Sequence, residues 1–100
     1  MSQHFEELWT ECENVYLAPS NGGALSGLLE ELVLKVNLYR AIDQKIELPP
    51  SELQNMKSRT MGEILLTLTG ISAKDNINVF EALSVAQQFH SIEHYSKKYQ

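Results

Sequence analysis

The chain has 100 residues, 43% hydrophobic and 21% charged, with a formal net charge of −5, proportions that suit one globular domain with a core of its own. Its eight Lys and Arg are scattered singly apart from Lys97–Lys98, so no basic stripe is available to a phosphate backbone and long nucleic acid is excluded as a partner. No apolar run approaches the roughly 18 residues of a membrane span, and residues 1–10 carry acids and no apolar signal core, so no membrane partner is expected and the expected location is cytoplasmic. Cys12 is the only cysteine, which rules out an intrachain disulfide and a cysteine metal cage and leaves a small core residue.

In chain order, Phe5, Leu8, Trp9, Cys12 and Tyr16 recur at helical spacing and predict an amphipathic helix over residues 4–17, with Ser2 as its N-cap. Residues 18–23, Ala-Pro-Ser-Asn-Gly-Gly, read as a loop. A second helix is predicted over 24–44. Leu25, Leu28, Leu29, Leu32, Val36 and Tyr39 share one side of it, while Leu34 and Leu38 fall outside that stripe. A helix apolar over so much of its circumference must be either the central helix of a bundle or a subunit contact as well. Glu31 lies on the shoulder of the stripe between Leu28, Lys35 and Ile42, where the simplest role for it is an ion pair with Lys35.

Pro49-Pro50 separates this helix from the next, predicted over 51–75. Ser51 and Gln54 have the spacing of a capping box. Leu53, Met61, Ile64, Leu65, Leu68 and Ile71 form its stripe, with room for an interruption near 57–59. Gly62 and Gly70 each weaken the helix by roughly 1 kcal/mol relative to alanine and allow close approach of a neighbour. Glu63 falls with Met56, Thr60 and Thr67, away from Leu65, which predicts a solvated face.

Asn76-Ile77-Asn78 supplies a corner with almost no loop: Asn76 tolerates the left-handed conformation, and Asn78 can cap the next helix with Glu81 three residues on. The last helix, 79–98, aligns Val79, Leu83, Ala86 and His90, and Lys97 and Lys98 suit its C-terminal dipole. No strand alternation or repeat is present, so the fold class is all-α with four helices in one domain spanning 1–100. Leu34, Leu38, Tyr95 and Tyr99 exceed what four helices of one chain can bury and predict a homo-oligomer. His90-Ser91-Ile92-Glu93-His94 matches the H-x-x-E-H arrangement of inverted zinc proteases. Only six residues remain after His94 for the third ligand zinc needs, so His90 is read as packing at the edge of the stripe and His94 as partly exposed.

The segment Arg59-Thr-Met-Gly-Glu-Ile-Leu-Leu-Thr-Leu, followed by Asn76-Ile-Asn-Val-Phe-Glu-Ala-Leu, together with Leu28-Leu-Glu-Glu-Leu, resembles the MazG-like nucleotide pyrophosphohydrolases over most of residues 25–99. What the resemblance implies is a four-helix MazG-like bundle, a homodimer or homotetramer, that hydrolyses nucleoside triphosphates between the α- and β-phosphates with Mg²⁺. On that alignment Glu31 and Glu63 match two of the four acids and become the catalytic and metal-binding pair, with Thr60 and His90 at substrate-binding positions. The family pattern is incomplete here, because Leu34 and Thr60 stand where the remaining acids are expected, and Ala86 and His90 stand where lysine and asparagine face the phosphates. Shifting the register does not restore it, since Glu30 would then pair with Val33. Two carboxylates can hold one Mg²⁺ with waters and substrate phosphates, not two or three ions. The leading expectation is a Mg²⁺-dependent nucleoside triphosphate pyrophosphohydrolase or a nucleotide-binding relative. The competing expectation is a catalytically inactive helical interaction or oligomerisation module, and a third is an unrelated helical bundle.

Overall fold

A computed structural model describes the backbone of residues 2–17, 24–45 and 47–98 and, within these, the side chains from His4 to Ser91. The expected loop at 18–23 and the side chains of Glu93, His94, Tyr95, Lys97, Lys98 and Tyr99 lie outside the described residues. Four helices and no strand are found among the described residues: α1 (Ser2–Leu17), α2 (Leu25–Asp43), α3 (Pro50–Asp75) and α4 (Val79–Lys98). None of the helices is long and apolar enough to cross a membrane among the described residues.

The start of α3 corrects one expectation. Pro49, at φ −57° and ψ 142°, is the N-cap and Pro50 the first helical residue, with no side-chain cap. A proline has no N–H to leave unpaired and its φ is already helical, so Pro50 starts the helix one residue before Ser51 can cap it. From there α3 runs for 26 residues without interruption at 57–59.

The central helix is α3, not α2: α3 packs against both α2 and α1. It does so through small and hydroxyl side chains, since its buried residues are Thr60, Thr67, Thr69, Gly70, Ser72 and Ala73. Each buried hydroxyl donates to a carbonyl of its own helix, Thr60 to Met56 at 2.9 Å, Thr67 to Glu63 at 3.1 Å, Thr69 to Leu66 at 2.6 Å and Ser72 to Thr69 at 3.0 Å. Burial therefore leaves none of these hydroxyls unsatisfied. Against α1, a Cβ at Gly70 would lie 2.8 Å from a ring carbon of Tyr16, so only glycine lets the two helices come this close. Ser72 also donates to Glu13 at 3.0 Å.

On α2 the inward positions are Leu28 and Ile42, with Leu32, Lys35 and Tyr39 half-buried between them and Leu25 half-buried one turn before. The 28–32–35–39–42 spacing is a single seam against α3, and a lysine occupies its middle. Leu29 and Val36 of the expected stripe are instead exposed, as are Met61 and Leu65 of α3. The helices meet through the Thr60–Thr67 flank of α3, the face expected to be solvated, because small side chains permit closer packing there than leucines do.

The corner between α3 and α4 forms as its residues dictate. Asn76 is left-handed, φ 55° and ψ 47°. Its N–H donates to Ala73 and that of Ile77 reaches back to Ser72 at 3.0 Å, which satisfies the last carbonyls of α3. Asn78 Oδ1 accepts from the N–H groups of Phe80 and Glu81, both at 3.1 Å, so one side chain caps α4. Phe80 then joins Phe5 and Trp9 in a ring cluster with centroids 5.9–6.1 Å apart. Beyond Phe80, every described side chain of α4, from Glu81 to Ser91, is exposed.

Candidate functional site

The α2–α3 seam brings Glu31 and Glu63 to one place, and Lys35 stands between them. Its Nζ lies 2.9 Å from Glu31 Oε1 and 3.3 Å from Glu63 Oε2. The same ammonium donates to Thr67 Oγ1 at 2.7 Å and to the Glu63 carbonyl at 3.3 Å. Four acceptors therefore surround three N–H donors. Glu31 is placed by helix geometry alone, one turn before Lys35 on α2. Glu63 reaches the ammonium from α3, one turn before the wholly buried Thr67, whose hydroxyl donates to the Glu63 backbone carbonyl at 3.1 Å.

Burial draws the Lys35 ammonium toward neutrality, and the hydrogen bonds and charges of Glu31 and Glu63 outweigh it, so its pKa lies above the ordinary lysine value. The group is fully cationic at neutral pH. Because both carboxylate oxygens touch one nitrogen, they lie no more than about 6.2 Å from each other. Without the lysine the two acids would repel across the seam; with it the cluster carries a net charge of −1. A second ion pair, Lys57 with Asp43, joins the same two helices farther along.

Beside the cluster opens a hollow of about 290 Å³ lined by Lys35, Leu38, Ile42, Met56, Arg59, Thr60 and Glu63. Leu38, Ile42 and Met56 form an apolar floor, with Arg59 and Lys35 as the cations. Thr60 lines the hollow with Glu63, one turn away on α3, and its hydroxyl proton is committed to Met56. His90 is elsewhere, on α4 beside Val85, Ala86 and Phe89, and does not line this hollow. Leu34, at 69% exposure, contributes nothing to the cluster.

Mg²⁺ takes oxygen ligands at about 2.1 Å in octahedral geometry and repels other cations, and the donors at the seam do not meet those demands. Both carboxylates there already bond one ammonium, and no group of three or more Asp, Glu, His or Cys able to hold a metal exists among the described residues. As arranged, these residues do not fit the ion. No known family, no characterised relative and no solved structure matches this chain.

The pairing of Lys35 with Glu31 is as the sequence suggests; its simultaneous contact with Glu63 is not. The place of Lys35 in the seam is signalled by the 4-3-4-3 spacing from Leu28 to Ile42, which puts position 35 against α3, not on the solvent side. Arg59 carries no comparable signal, since its place at the hollow depends on which flank of α3 meets α2.

Proposed function

We propose that this protein is a MazG-like helical module that acts by association, its paired acids held by an internal ammonium in place of a divalent ion. The observation that carries the reading is Lys35 Nζ within 3.3 Å of both Glu31 and Glu63. A cation fixed in the chain stabilises the two carboxylates at any metal concentration, but it cannot polarise a phosphate as a Lewis acid or generate hydroxide from bound water. The order of the helices and the Asn76–Asn78 corner support the kinship. Incubation with a panel of ribo- and deoxynucleoside triphosphates plus Mg²⁺ or Mn²⁺ should release no pyrophosphate. Turnover that Glu31→Gln and Glu63→Gln each abolish would overturn the proposal.

One observation favours a second reading, a nucleotide-binding relative. The 290 Å³ hollow combines an apolar floor with Arg59 and Lys35, and it is near the lower end of ligand-sized pockets, about 300–1,000 Å³. A base would lie on Leu38 and Met56 with its phosphates toward Arg59. Equilibrium dialysis with labelled nucleoside triphosphate in EDTA should then show binding that Arg59→Ala removes. Binding seen only with added metal would count against this pose.

A further inference from the structure

We propose that the hollow between α1 and the α3–α4 corner binds a small primary amine that carries a neutral hydrogen-bond acceptor beside its ammonium, of the aminoacyl-amide or amino-alcohol kind. The site lies apart from the Lys35 cluster and shares no residue with it. Its volume is about 440 Å³, within the range of ligand pockets, about 300–1,000 Å³. Three helices enclose it: Glu6, Trp9 and Glu13 come from α1, Ser72 from the last turns of α3, and Phe80 from the first turn of α4.

Trp9 points to a ligand. The residue is 6% exposed, and its Nε1 is buried without a hydrogen-bond partner. The rings packed on it, Phe5 at 5.9 Å and Phe80 at 6.1 Å between centroids, offer no oxygen or nitrogen to accept from it. The buried hydroxyls of α3 all find acceptors, so this indole N–H stands out among the described side chains. A buried donor with no acceptor destabilises the fold that holds it. Trp9 lines the hollow, and an acceptor brought into the hollow removes that cost.

The rest of the lining sets the charge of the ligand. Glu6 and Glu13 are two turns apart on the Trp9 side of α1, and no Lys, Arg or His lines the hollow. Neither acid is in an ion pair among the described residues. Glu13 is half-buried and accepts from the Ser72 hydroxyl through Oε2 at 3.0 Å, a contact that fixes its position and leaves its charge uncompensated. An ammonium entering here gains a charge-assisted hydrogen bond to a carboxylate already held in place. Leu17 and Ile77, 60% and 47% exposed, also line the hollow and give an aliphatic body a surface to cover. The acceptor for Trp9 must be neutral, a carbonyl or hydroxyl, because a carboxylate would set its charge against both acids.

Trp9 is the only tryptophan, so its emission reports the site directly. Leucinamide titrated into the full chain should change that emission saturably in the millimolar range. N-acetyl-leucinamide, which lacks the cation, and isopentylamine, which lacks the carbonyl, should each bind at least about tenfold more weakly, the equivalent of one good hydrogen bond. Glu13→Gln keeps an acceptor for Ser72 and should lose about tenfold in affinity for leucinamide, with circular dichroism confirming a helical chain. Glu11→Gln removes the same charge from α1 outside the hollow and should leave the affinity within about twofold. The two analogues test the proposal on the parent chain alone, whatever Glu13→Gln does to the fold. No saturable change with leucinamide, equal binding of either analogue, or equal losses in Glu11→Gln and Glu13→Gln would each overturn it.

Discussion

Replacing Lys35 by methionine tests whether the ammonium holds the place of an ion. Methionine keeps the aliphatic stem that fills the 28–32–35–39–42 seam and removes only the charge and its donors. A buried charge-assisted hydrogen bond contributes about 1.5–3 kcal/mol, but Glu31 and Glu63 are 47% and 60% exposed and water replaces much of what they lose. Thr67, wholly buried, keeps its own bond to the Glu63 carbonyl. The net cost is therefore about 1 kcal/mol, a fall in Tm of roughly 4–8 °C for a domain of this size. The variant also leaves two unpaired carboxylates whose oxygens begin no more than about 6.2 Å apart. Both side chains are mobile enough at that exposure to close on one ion at about 2.1 Å per ligand. If the new site binds Mg²⁺ with a Kd of about 1 mM, about 10 mM of the ion restores roughly 1.4 kcal/mol. Thermal unfolding with and without Mg²⁺ reads the effect: the parent chain should be indifferent to the ion, and Lys35→Met should recover most of its lost Tm. A parent chain stabilised by Mg²⁺, or a variant that is not, would refute the view that ammonium and metal compete for these acids.

Three further outcomes follow from the packing. A Cβ added at Gly62 would meet nothing within 4 Å, whereas one at Gly70 would meet Tyr16 at 2.8 Å, so Gly62→Ala should raise stability by about 0.5–1 kcal/mol and Gly70→Ala should lower it by about 1 kcal/mol or more; urea titration of the two separates open space from close approach. Asn78→Ala removes the cap that serves Phe80 and Glu81 and should cost about 1 kcal/mol, with hydrogen exchange rising first in the opening turn of α4. The raised Lys35 pKa predicts a stabilisation fully present below the unfolded lysine value, about 10.4, and lost as pH rises through the higher folded value. Tm should thus fall above about pH 10.4, and Lys35→Met should flatten part of that fall.

Much of the fold is legible in residue order because the helices announce their own ends. Asn76, Asn78 and the proline pair act locally, and local signals do not depend on what the rest of the chain does. The order of packing is not legible in the same way. Apolar stripes point to α2 as the centre, yet α3 takes that place through threonine, glycine, serine and alanine, whose value is that they are small. Hydrophobic periodicity is blind to this, since Thr60 and Thr67 count as polar while their self-satisfied hydroxyls make them good packing residues. The pairing of Glu31 with Lys35 can be read from i, i+4 spacing alone. That Glu63 completes the cluster cannot, because it depends on the flank of α3 that meets α2.

The same displacement links the ammonium and the exposed leucines. Once α2 and α3 meet through the threonine flank, Lys35 is turned into the seam and must find anionic partners there, which Glu31 and Glu63 supply. Met61 and Leu65 of the apolar stripe of α3 are at the same time left exposed, Met61 sharing one shallow depression with Val36. Packing α3 on α2 through Leu65 instead would bury that stripe, release Lys35 to water and part the two acids. Swapping the flanks therefore makes a joint demand: Thr60→Leu with Thr67→Leu forces bulk into the tight side, where overpacking costs about 1–3 kcal/mol. Such a double variant should lose stability and weaken the protection of the Lys35 ammonium from exchange together. Loss of stability with that protection unchanged would mean that the threonine packing and the ammonium seam are independent features.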